Sequence, residues 1–378
     1  MGKRPLELLE AVRPCFWEVA PYEPGKPIEE VAATFGLDDV IKLASNENPF
    51  GTSPLVKQTL RQEVDQLHRY PDGAGSALRE ALAAHWNVTP ENVLLGNGTD
   101  EILQFLCRAF LVPGTNAVMA DPTFSRYEAE VRLCGAEARK VPLRDGVHDL
   151  MAMLAAIDER TRIVWVCNPN NPTGTYVSHD ALAAFIASVP ARCLVVLDEA
   201  YVEYADAPDF PDSVALWREH PNLVILHTFS KIYGLAALRI GYALLDEALA
   251  DLLNREREPF NTNRLAQRAA LAALQDQDFV RICKKRTQTG KEQLYEAFDR
   301  MQLHYLPSQA NFVLVYLPQS DQQVAQRLLR QGVIVRAGEA LGVPQALRVT
   351  IGSAQENERF INVLQTAIDA PATLQGGR

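Results

Sequence analysis

Six short apolar runs lie between segments with helical periodicity in the part of the chain from about residue 75 to residue 245. None of these runs alternates regularly between apolar and polar residues, as a strand with one solvent-facing side would. Strands buried on both faces lose that alternation, which is typical of parallel sheets covered by helices. The sequence therefore predicts an α/β fold with a mostly parallel sheet and helices on both faces. The runs are NVLLG, NAVMAD, RIVWVCN, CLVVLDEA, LVILHTFS and IGYALL.

The length of 378 residues exceeds that of one ordinary core, so two domains are predicted. The first 45 residues are rich in proline and glycine and are predicted to be an extended arm. After Pro259, helical segments (one of them, Asp278–Arg300, expected to be long and exposed) precede short strands that include VIVRA as one strand. The predicted division is an arm at 1–42 that packs with the small domain, a large domain at 43–280 and a small α+β domain at 281–378.

Composition indicates which kinds of partner and which cellular location to expect. A net charge of −10 argues against nucleic acid as a partner. The six cysteines are scattered without a C-x-x-C pair, a pattern that suits a reducing cytoplasm, and no metal site is predicted. The N-terminal residues lack the apolar core of a signal peptide, and no apolar run approaches membrane length. We therefore expect a cytoplasmic protein that binds neither membrane nor nucleic acid.

Ligands of open α/β sheets bind beyond the carboxyl ends of the strands, so those ends are the first place to look for a site. The strand VLLG continues into NGTDE, where Thr99 and Asp100 begin a helix. The free N–H groups of a helix N-terminus can bind a phosphate. Threonine and aspartate at this position are also good helix caps, so this motif alone leaves both interpretations open.

Two further strands end in polar residues. The strand IVWVC continues into NPNNPTG, which is either an ordinary turn or a rigid support for the amide of Asn171. The strand CLVVL ends at Asp198, and Tyr201 follows three residues later. A carboxylate at a buried strand end is costly unless it meets a cation or a hydrogen-bond donor.

The last of these strand ends carries a lysine. LVILHT delivers Ser230 and Lys231, and Arg239 follows in a segment that contains glycine. A lysine that can form a Schiff base, an acid that can pair with a pyridinium nitrogen and a phosphate-type turn are together what pyridoxal 5'-phosphate requires. The acid keeps the ring nitrogen protonated, which lets the ring withdraw electrons. The sequence therefore predicts a pyridoxal-phosphate site with Lys231 as the covalent attachment point.

With these residues in place, the chain resembles the fold-type I pyridoxal-phosphate enzymes of aminotransferase classes I and II, whose large domain has a seven-stranded sheet. Within that family it is most similar to the subgroup that acts on histidinol phosphate. The motifs occur in the family's order across nearly the whole chain. They are PYEPGKP (21–27), LASNENPFG (43–51), RYPDG (69–73), GNGTDE (96–101), DPTFSRY (121–127), NPNNPTG (168–174), DEAYVEY (198–204), TFSKIYGLAALRIGY (228–242) and LRVTIG (347–352).

The resemblance implies roles for the residues around the cofactor ring. Lys231 would form the aldimine and later carry a proton between the substrate Cα and cofactor C4′. Asp198 would pair with the ring nitrogen, while Tyr201 and Asn171 would bind the phenolic oxygen. Phe124 would stack on the ring, at a place where the family often has tyrosine.

The resemblance also implies how the cofactor phosphate is held. The backbone N–H groups of Thr99 and Asp100, the Ser230 hydroxyl and Arg239 would bind it. Tyr70 would reach the phosphate of the neighbouring subunit, so the expected assembly is a homodimer with shared active sites.

Substrate binding is implied in the same way. Tyr22 would lie at the mouth of the site, and Asn171 would also face the substrate. Arg348 matches an arginine that grips a substrate carboxylate in most relatives and the substrate phosphate in this subgroup, and Arg336 would be the second phosphate ligand. The expected reaction is a ping-pong transfer between L-histidinol phosphate and 2-oxoglutarate, giving imidazole-acetol phosphate and glutamate in histidine biosynthesis.

Several alternatives stay open at this point. Phe124, Tyr70 and Tyr201 could simply pack in the structure, Arg239 could pair with Asp246 or Glu247, and Arg336 could face solvent. An aromatic amino-acid aminotransferase would need little change to the same scaffold. A threonine-phosphate decarboxylase-like lyase shares the fold, the lysine and a phosphate pocket. A regulatory module without catalysis belongs to a different class of function.

Overall fold

The computed structural model describes residues 7–369, whose strands form three sheets. In chain order the strands are β1 (Ile41–Lys42), β2 (Val93–Gly96), β3 (Asn116–Asp121), β4 (Glu137–Pro142), β5 (Thr161–Cys167), β6 (Leu194–Asp198), β7 (Leu223–Thr228), β8 (Gly241–Leu244), β9 (Tyr305–Leu306), β10 (Phe312–Tyr316), β11 (Val333–Ile334), β12 (Arg336–Ala337) and β13 (Ala346–Thr350).

The α-helices alternate with the strands through most of this range. In chain order they are α1 (Ile28–Phe35), α2 (Pro54–Glu63), α3 (Ser76–Trp86), α4 (Thr99–Phe110), α5 (Arg126–Leu133), α6 (Leu150–Ala155), α7 (His179–Ser188), α8 (Ser213–Glu219), α9 (Glu247–Leu253), α10 (Arg264–Gln275), α11 (Gln277–Arg300), α12 (Asp321–Arg330) and α13 (Ala354–Asp369). None of the helices within residues 7–369 has both the length and the apolar character needed to cross a membrane.

The largest sheet has seven strands in the order β2-β8-β7-β6-β5-β3-β4. Strand β8 is antiparallel to both of its neighbours, and the remaining adjacent pairs are parallel. Successive residues of one strand belong to different cores: Val195 and Leu197 pack into one apolar cluster, Leu194 and Val196 into another on the opposite face. Burial on both faces explains the unbroken apolar runs, and the predicted fold class is confirmed.

A second, four-stranded antiparallel sheet has the order β12-β13-β10-β9 and packs against α11, α12 and α13. The predicted single strand VIVRA is wrong, because β11 pairs in parallel with β1 while β12 pairs antiparallel with β13. Two short strands belonging to different sheets therefore replace one continuous strand.

Two other expectations also need correction. The first 45 residues are not extended throughout, since α1 begins after Pro27 and ends before Gly36, which adopts a left-handed conformation. The helix predicted at Asp278–Arg300 exists as α11, but one side of it is buried rather than exposed. Apolar and small residues that recur along α11, such as Leu294 and Phe298, face the core beneath a charged outer surface.

Contacts of the N-terminal segment connect it to the C-terminal unit. Strand β1 pairs with β11, and Val31 of α1 packs with Leu329 and Ile334. These contacts support the predicted association of residues 1–42 with the small domain. The division into 1–42, 43–280 and 281–378 stays a prediction, and its two outer segments extend beyond the described residues.

Candidate active site

The carboxyl ends of neighbouring parallel strands bring several predicted residues to one edge of the large sheet. In the sheet register, Cys167 at the end of β5 lies opposite Asp198 at the end of β6, and Asp198 lies opposite Leu226 of β7. The loops that leave these strands carry Asn171 and Lys231. Parallel register alone therefore gathers an amide, a carboxylate and an amine that are far apart in sequence.

Asp198 is buried and has two hydrogen-bond donors. Its Oδ2 accepts from the Tyr127 hydroxyl at 2.6 Å, and its Oδ1 accepts from the Ala200 N–H at 3.1 Å. Burial raises the pKa of Asp198 to about 6, and both donors act against that rise. A carboxylate with a raised pKa gains from a cation in the site, because the charge would relieve the cost of burial.

Tyr127 was not predicted as a site residue, although it lies in the quoted motif DPTFSRY. Its ring stacks on Trp165 with centroids 4.9 Å apart and an interplanar angle of 4°, which fixes the hydroxyl against Asp198. The half-buried Phe124 meets Tyr127 edge-on at 5.5 Å. The structure thus places Phe124 beside the Tyr127–Asp198 pair. The available sequence signal for Tyr127 was its position, one helical turn after Phe124.

Lys231 lies half-buried at the start of the loop after β7. Its Nζ is 3.5 Å from the carbonyl oxygen of Ser45 and 5.5 Å from the centre of the Tyr201 ring. Burial, together with a smaller effect of the positive charge of Arg348, lowers the pKa of Lys231 to about 8. A minor part of this amine is therefore neutral near physiological pH, far more than for an ordinary lysine, and the neutral form is the one that a nucleophile or proton acceptor requires.

Tyr201 and Asn171 complete this side of the site. The Tyr201 hydroxyl oxygen accepts from Asn46 Nδ2 at 3.0 Å, and burial raises the pKa of Tyr201 so that its hydroxyl stays protonated. Asn171 Oδ1 accepts from Arg348 Nη1 at 2.6 Å, which leaves the Nδ2 group of Asn171 facing the other way as a donor. Both side chains therefore keep a hydrogen-bond donor for a ligand.

The N-terminus of α4 forms a polar cradle with the segment before β8. Thr99 is the first residue of α4 and Gly98 occupies the cap position, so Thr99 is not itself the cap. Gly98 has a positive φ of 74°, a backbone conformation that glycine adopts without strain, and its Cα lies close to the Arg239 guanidinium. Arg239 reaches Asp100 and Ser230, each at 3.3 Å, and its ion pair is with Asp100 rather than with Asp246 or Glu247.

Arg336 and Arg348 lie directly opposite each other on β12 and β13. The Arg348 guanidinium donates to the carbonyl oxygen of Ala44 at 2.7 Å, and its Nε is buried without a hydrogen-bond partner in the described structure. Arg336 donates to the carbonyl oxygen of Glu23 in the N-terminal arm at 2.9 Å. Tyr22, the preceding residue of the arm, is exposed.

Within the described chain, Tyr70 has its ring contact with Phe260 and not with another predicted site residue. It is 78% exposed, and its ring stacks on Phe260 with centroids 4.5 Å apart. An exposed tyrosine and phenylalanine side by side leave apolar surface open on the described chain.

The sequence model for aminotransferase class I and II matches residues 38–364. The chain belongs to the aminotransferase class I and II family. This match confirms the predicted enzyme class and the family to which the motifs pointed. It spans both the seven-stranded sheet and most of the C-terminal unit, so the site residues described above lie within it, except Tyr22 and Glu23 of the N-terminal arm.

Individual relatives agree with the family match. The aminotransferase is 53% identical to histidinol-phosphate aminotransferase of Anoxybacillus flavithermus over 347 residues, which are 92% of this chain and 94% of that one. It is 52% identical to histidinol-phosphate aminotransferase of Bacillus subtilis over 348 residues, 92% of this chain and 97% of the relative. Histidinol-phosphate aminotransferase from Sinorhizobium meliloti, solved in complex with pyridoxal-5'-phosphate, superposes with a TM-score of 0.87 at 27% identity, covering 95% of this chain and 97% of that one.

Proposed function

We propose that this aminotransferase uses pyridoxal 5'-phosphate to transfer an amino group between L-histidinol phosphate and 2-oxoglutarate, with imidazole-acetol phosphate and glutamate as products. The observation that carries the choice of substrate is the cross-strand pair Arg336–Arg348, which is a cationic site suited to a phosphate dianion. The names of the relatives at more than 50% identity support the same substrate. We place the reaction in histidine biosynthesis and in the cytoplasm.

The phosphate end of the cofactor fits the cradle at the start of α4. The first N–H groups of a helix have no partner within the helix, so those of Thr99 and Asp100 are available to an anion. The Ser230 hydroxyl and the Arg239 guanidinium, 3.3 Å apart, add a neutral and a charged donor. Gly98 leaves space beside the Arg239 guanidinium, and its positive φ of 74° favours glycine at this position.

The ring end of the cofactor fits the strand ends. Asp198 offers a buried carboxylate for the ring N–H, and Tyr201 and Asn171 keep donors for the phenolic oxygen. Phe124 provides an aromatic face next to the Tyr127–Asp198 pair. When bound, the cofactor supplies an aldehyde that can combine with an amino group and a ring that withdraws electrons from the substrate Cα.

Lys231 provides the amine that attaches to the cofactor and then handles a proton. Its pKa of about 8 leaves part of the population neutral, so Nζ can accept the proton lost from the substrate Cα. The carbonyl oxygen of Ser45, 3.5 Å away, orients the protonated form. The positive charge of Arg348 disfavours a positive charge on Lys231. An anionic substrate that neutralises Arg348 therefore also raises the basicity of the Lys231 amine.

The substrate phosphate is assigned to the two arginines of β12 and β13. Like charges directly opposite each other across an antiparallel pair are destabilising when nothing lies between them. A dianion offsets both charges and can give the unpartnered Nε of Arg348 an acceptor. The hydrogen bond from Arg336 to Glu23 holds the arm that carries Tyr22 beside the same position.

Replacing Arg336 by alanine is expected to lower kcat/KM for histidinol phosphate by about tenfold to a hundredfold, since a charge-assisted contact contributes roughly 1.5–3 kcal/mol. The half-reaction with 2-oxoglutarate should change less, because a carboxylate needs only one guanidinium fork. Arg348→Ala should damage both half-reactions. Single-turnover measurements of each half-reaction test this, with Arg336→Lys as the matched control that keeps charge and loses the fork.

An unchanged kcat/KM for histidinol phosphate in Arg336→Ala would contradict the phosphate assignment. The remaining candidate would then be an aromatic amino-acid aminotransferase, which kinetics with phenylalanine as donor would reveal. A lyase would not require 2-oxoglutarate at all, so amino transfer that depends on 2-oxoglutarate separates it from both aminotransferases.

We also propose a homodimer in which Tyr70 completes the site of the partner. Its 78% exposure and its stacking on Phe260 support this, because they leave an aromatic surface for another chain to cover. Tyr70→Ala and Lys231→Ala should each be inactive alone and regain part of the activity when mixed and re-dimerised. One hybrid site would then hold both residues. Verified heterodimers without any regained activity would exclude a shared site.

A further inference from the structure

Three consecutive residues of the segment after β1 contact three of the proposed functional side chains. The carbonyl oxygen of Ala44 accepts from Arg348 at 2.7 Å, and that of Ser45 accepts from Lys231 at 3.5 Å. The side chain of Asn46, the third residue, donates to the Tyr201 hydroxyl oxygen at 3.0 Å. Asn46 is 1% exposed and is thus the buried member of this segment that uses its side chain.

The orientation of the Asn46 amide follows from its contacts with Thr350. The Thr350 Oγ1 accepts from the backbone N–H of Asn46 at 2.9 Å. Its own hydrogen is then free to donate to Asn46 Oδ1, which lies 3.1 Å away. Asn46 Oδ1 is therefore an acceptor, and the group facing Tyr201 is the amide NH₂. Satisfying this network requires one orientation of the amide and excludes the flipped one.

The direction of the hydrogen bond from Asn46 to Tyr201 determines whether the Tyr201 hydroxyl can donate to a ligand. A tyrosine hydroxyl has one hydrogen, and an oxygen that accepts from Asn46 keeps that hydrogen for a different acceptor. An acceptor in place of the amide NH₂ would capture the hydrogen and turn Tyr201 away from the site. The identity of residue 46 therefore controls the donor capacity of Tyr201 without touching a ligand itself.

We propose that Asn46 is a positioning residue that fixes the Tyr201 hydroxyl as a hydrogen-bond donor into the active site, with Thr350 setting the orientation of Asn46. The inference rests on the proposed function, because the acceptor for Tyr201 would be the phenolic oxygen of the cofactor. Thr350 lies two residues beyond Arg348 on β13, so one strand carries both the substrate arginine and the group that orients Asn46.

A structural role of Asn46 and the proposed positioning role can be separated by one substitution. Asn46 has a left-handed backbone (φ 55°), and its carbonyl oxygen accepts from Asn311 Nδ2 at 3.0 Å, so the residue also ties the two units together. Aspartate has nearly the same shape, tolerates this backbone conformation and can accept from Thr350. It cannot donate to Tyr201. Asn46→Asp therefore keeps most of the architecture and reverses one hydrogen bond.

The test measures the visible absorbance of added pyridoxal phosphate bound to the protein as a function of pH. In Asn46→Asp the chromophore should titrate about one pKa unit higher, because the phenolic oxygen loses a donor that favours its anionic form. The new charge at position 46 also contributes to this shift. The same substitution is therefore made in the Tyr201→Phe background, where only the charge effect can act, and the shift there should be clearly smaller.

A second pair of variants avoids the added charge. Thr350→Val removes the hydroxyl that orients Asn46, so the chromophore pKa should rise by a part of the Asn46→Asp shift. Thr350→Ser keeps the hydroxyl and should restore the unchanged titration. This pair decides the matter if Asn46→Asp does not fold.

Equal shifts for Asn46→Asp in the Tyr201 and Tyr201→Phe backgrounds, or identical titrations for Thr350→Val and Thr350→Ser, would overturn the inference alone. An unsubstituted protein that gives no visible band with pyridoxal phosphate would overturn the proposed function and this inference with it. The two failures are therefore distinguishable in one set of spectra.

Discussion

Lys231→Ala is expected to lower kcat by more than about 1,000-fold while leaving the protein folded. The substitution removes the amine that attaches to the cofactor and the group that carries the substrate proton, and no second amine is proposed at this position. Cofactor affinity should fall much less, because the phosphate cradle and Asp198 do not depend on Lys231. Equilibrium dialysis with pyridoxal phosphate and single-turnover kinetics separate the two effects.

The position of the lysine, rather than its pKa, accounts for this expectation. Lys291 is more fully buried than Lys231 and also has a pKa lowered to about 8 by burial, but it lies on α11 and donates to the carbonyl oxygen of Ser308 at 2.7 Å. Lys291 thus serves as an internal comparison for reactivity. Borohydride reduction followed by peptide mapping should place the cofactor on Lys231. A label on Lys291, or full turnover in Lys231→Ala, would show that the assignment is wrong.

The sequence predicted those parts of the site that depend on local patterns. Asp198 and Lys231 could be named because each follows an apolar run, and parallel strands bring their carboxyl ends to the same edge. The predicted sheet was confirmed for the same reason, since burial on both faces leaves a direct trace in the sequence.

Contacts between distant segments left no such trace. Tyr127 meets Asp198 across 71 residues, and Asn46 meets Thr350 across 304 residues, so neither pairing follows from any local period. The pairs depend on how helix α5 and strand β13 pack, which only the structure shows. The error at VIVRA has a related cause: the segment begins with three strand-favouring residues and contains no turn signal, but β1 and β13 each pair with only part of it.

The second large effect is expected at Asp198. Asp198→Asn should reduce kcat by about 100-fold to 1,000-fold, comparable to the loss of one preorganised electrostatic partner in an active site. An amide has nearly the same size but no charge, so it cannot keep a ring nitrogen protonated. Tyr127→Phe is the matched control, since it removes a hydrogen bond from the same carboxyl and keeps the charge. Its loss in kcat should be smaller, about tenfold.

Asp198→Asn should increase the stability of the cofactor-free protein at high pH, although it lowers kcat. Because burial raises the pKa of Asp198 to about 6, the ionised carboxylate is unfavourable in the folded, cofactor-free protein. The protonated form contributes stability that is fully present below the unfolded pKa, about 4, and is lost as pH rises through about 6. The amide in Asp198→Asn stays neutral at every pH, so the penalty at higher pH disappears in the variant.

Urea unfolding of the cofactor-free proteins at pH 5 and pH 8 therefore tests the raised pKa of Asp198 independently of catalysis. The free energy of unfolding of Asp198→Asn relative to the unsubstituted protein should be more favourable at pH 8 than at pH 5. A residue that only capped the turn through Ala200 would differ in turnover: asparagine would support the turn nearly as well, and kcat would stay within about threefold. A cofactor-facing Asp198 requires that Asp198→Asn loses turnover and keeps or gains stability at pH 8. The buried negative charge of Asp198 weakens the cofactor-free protein, and the same charge is the one that the bound ring uses.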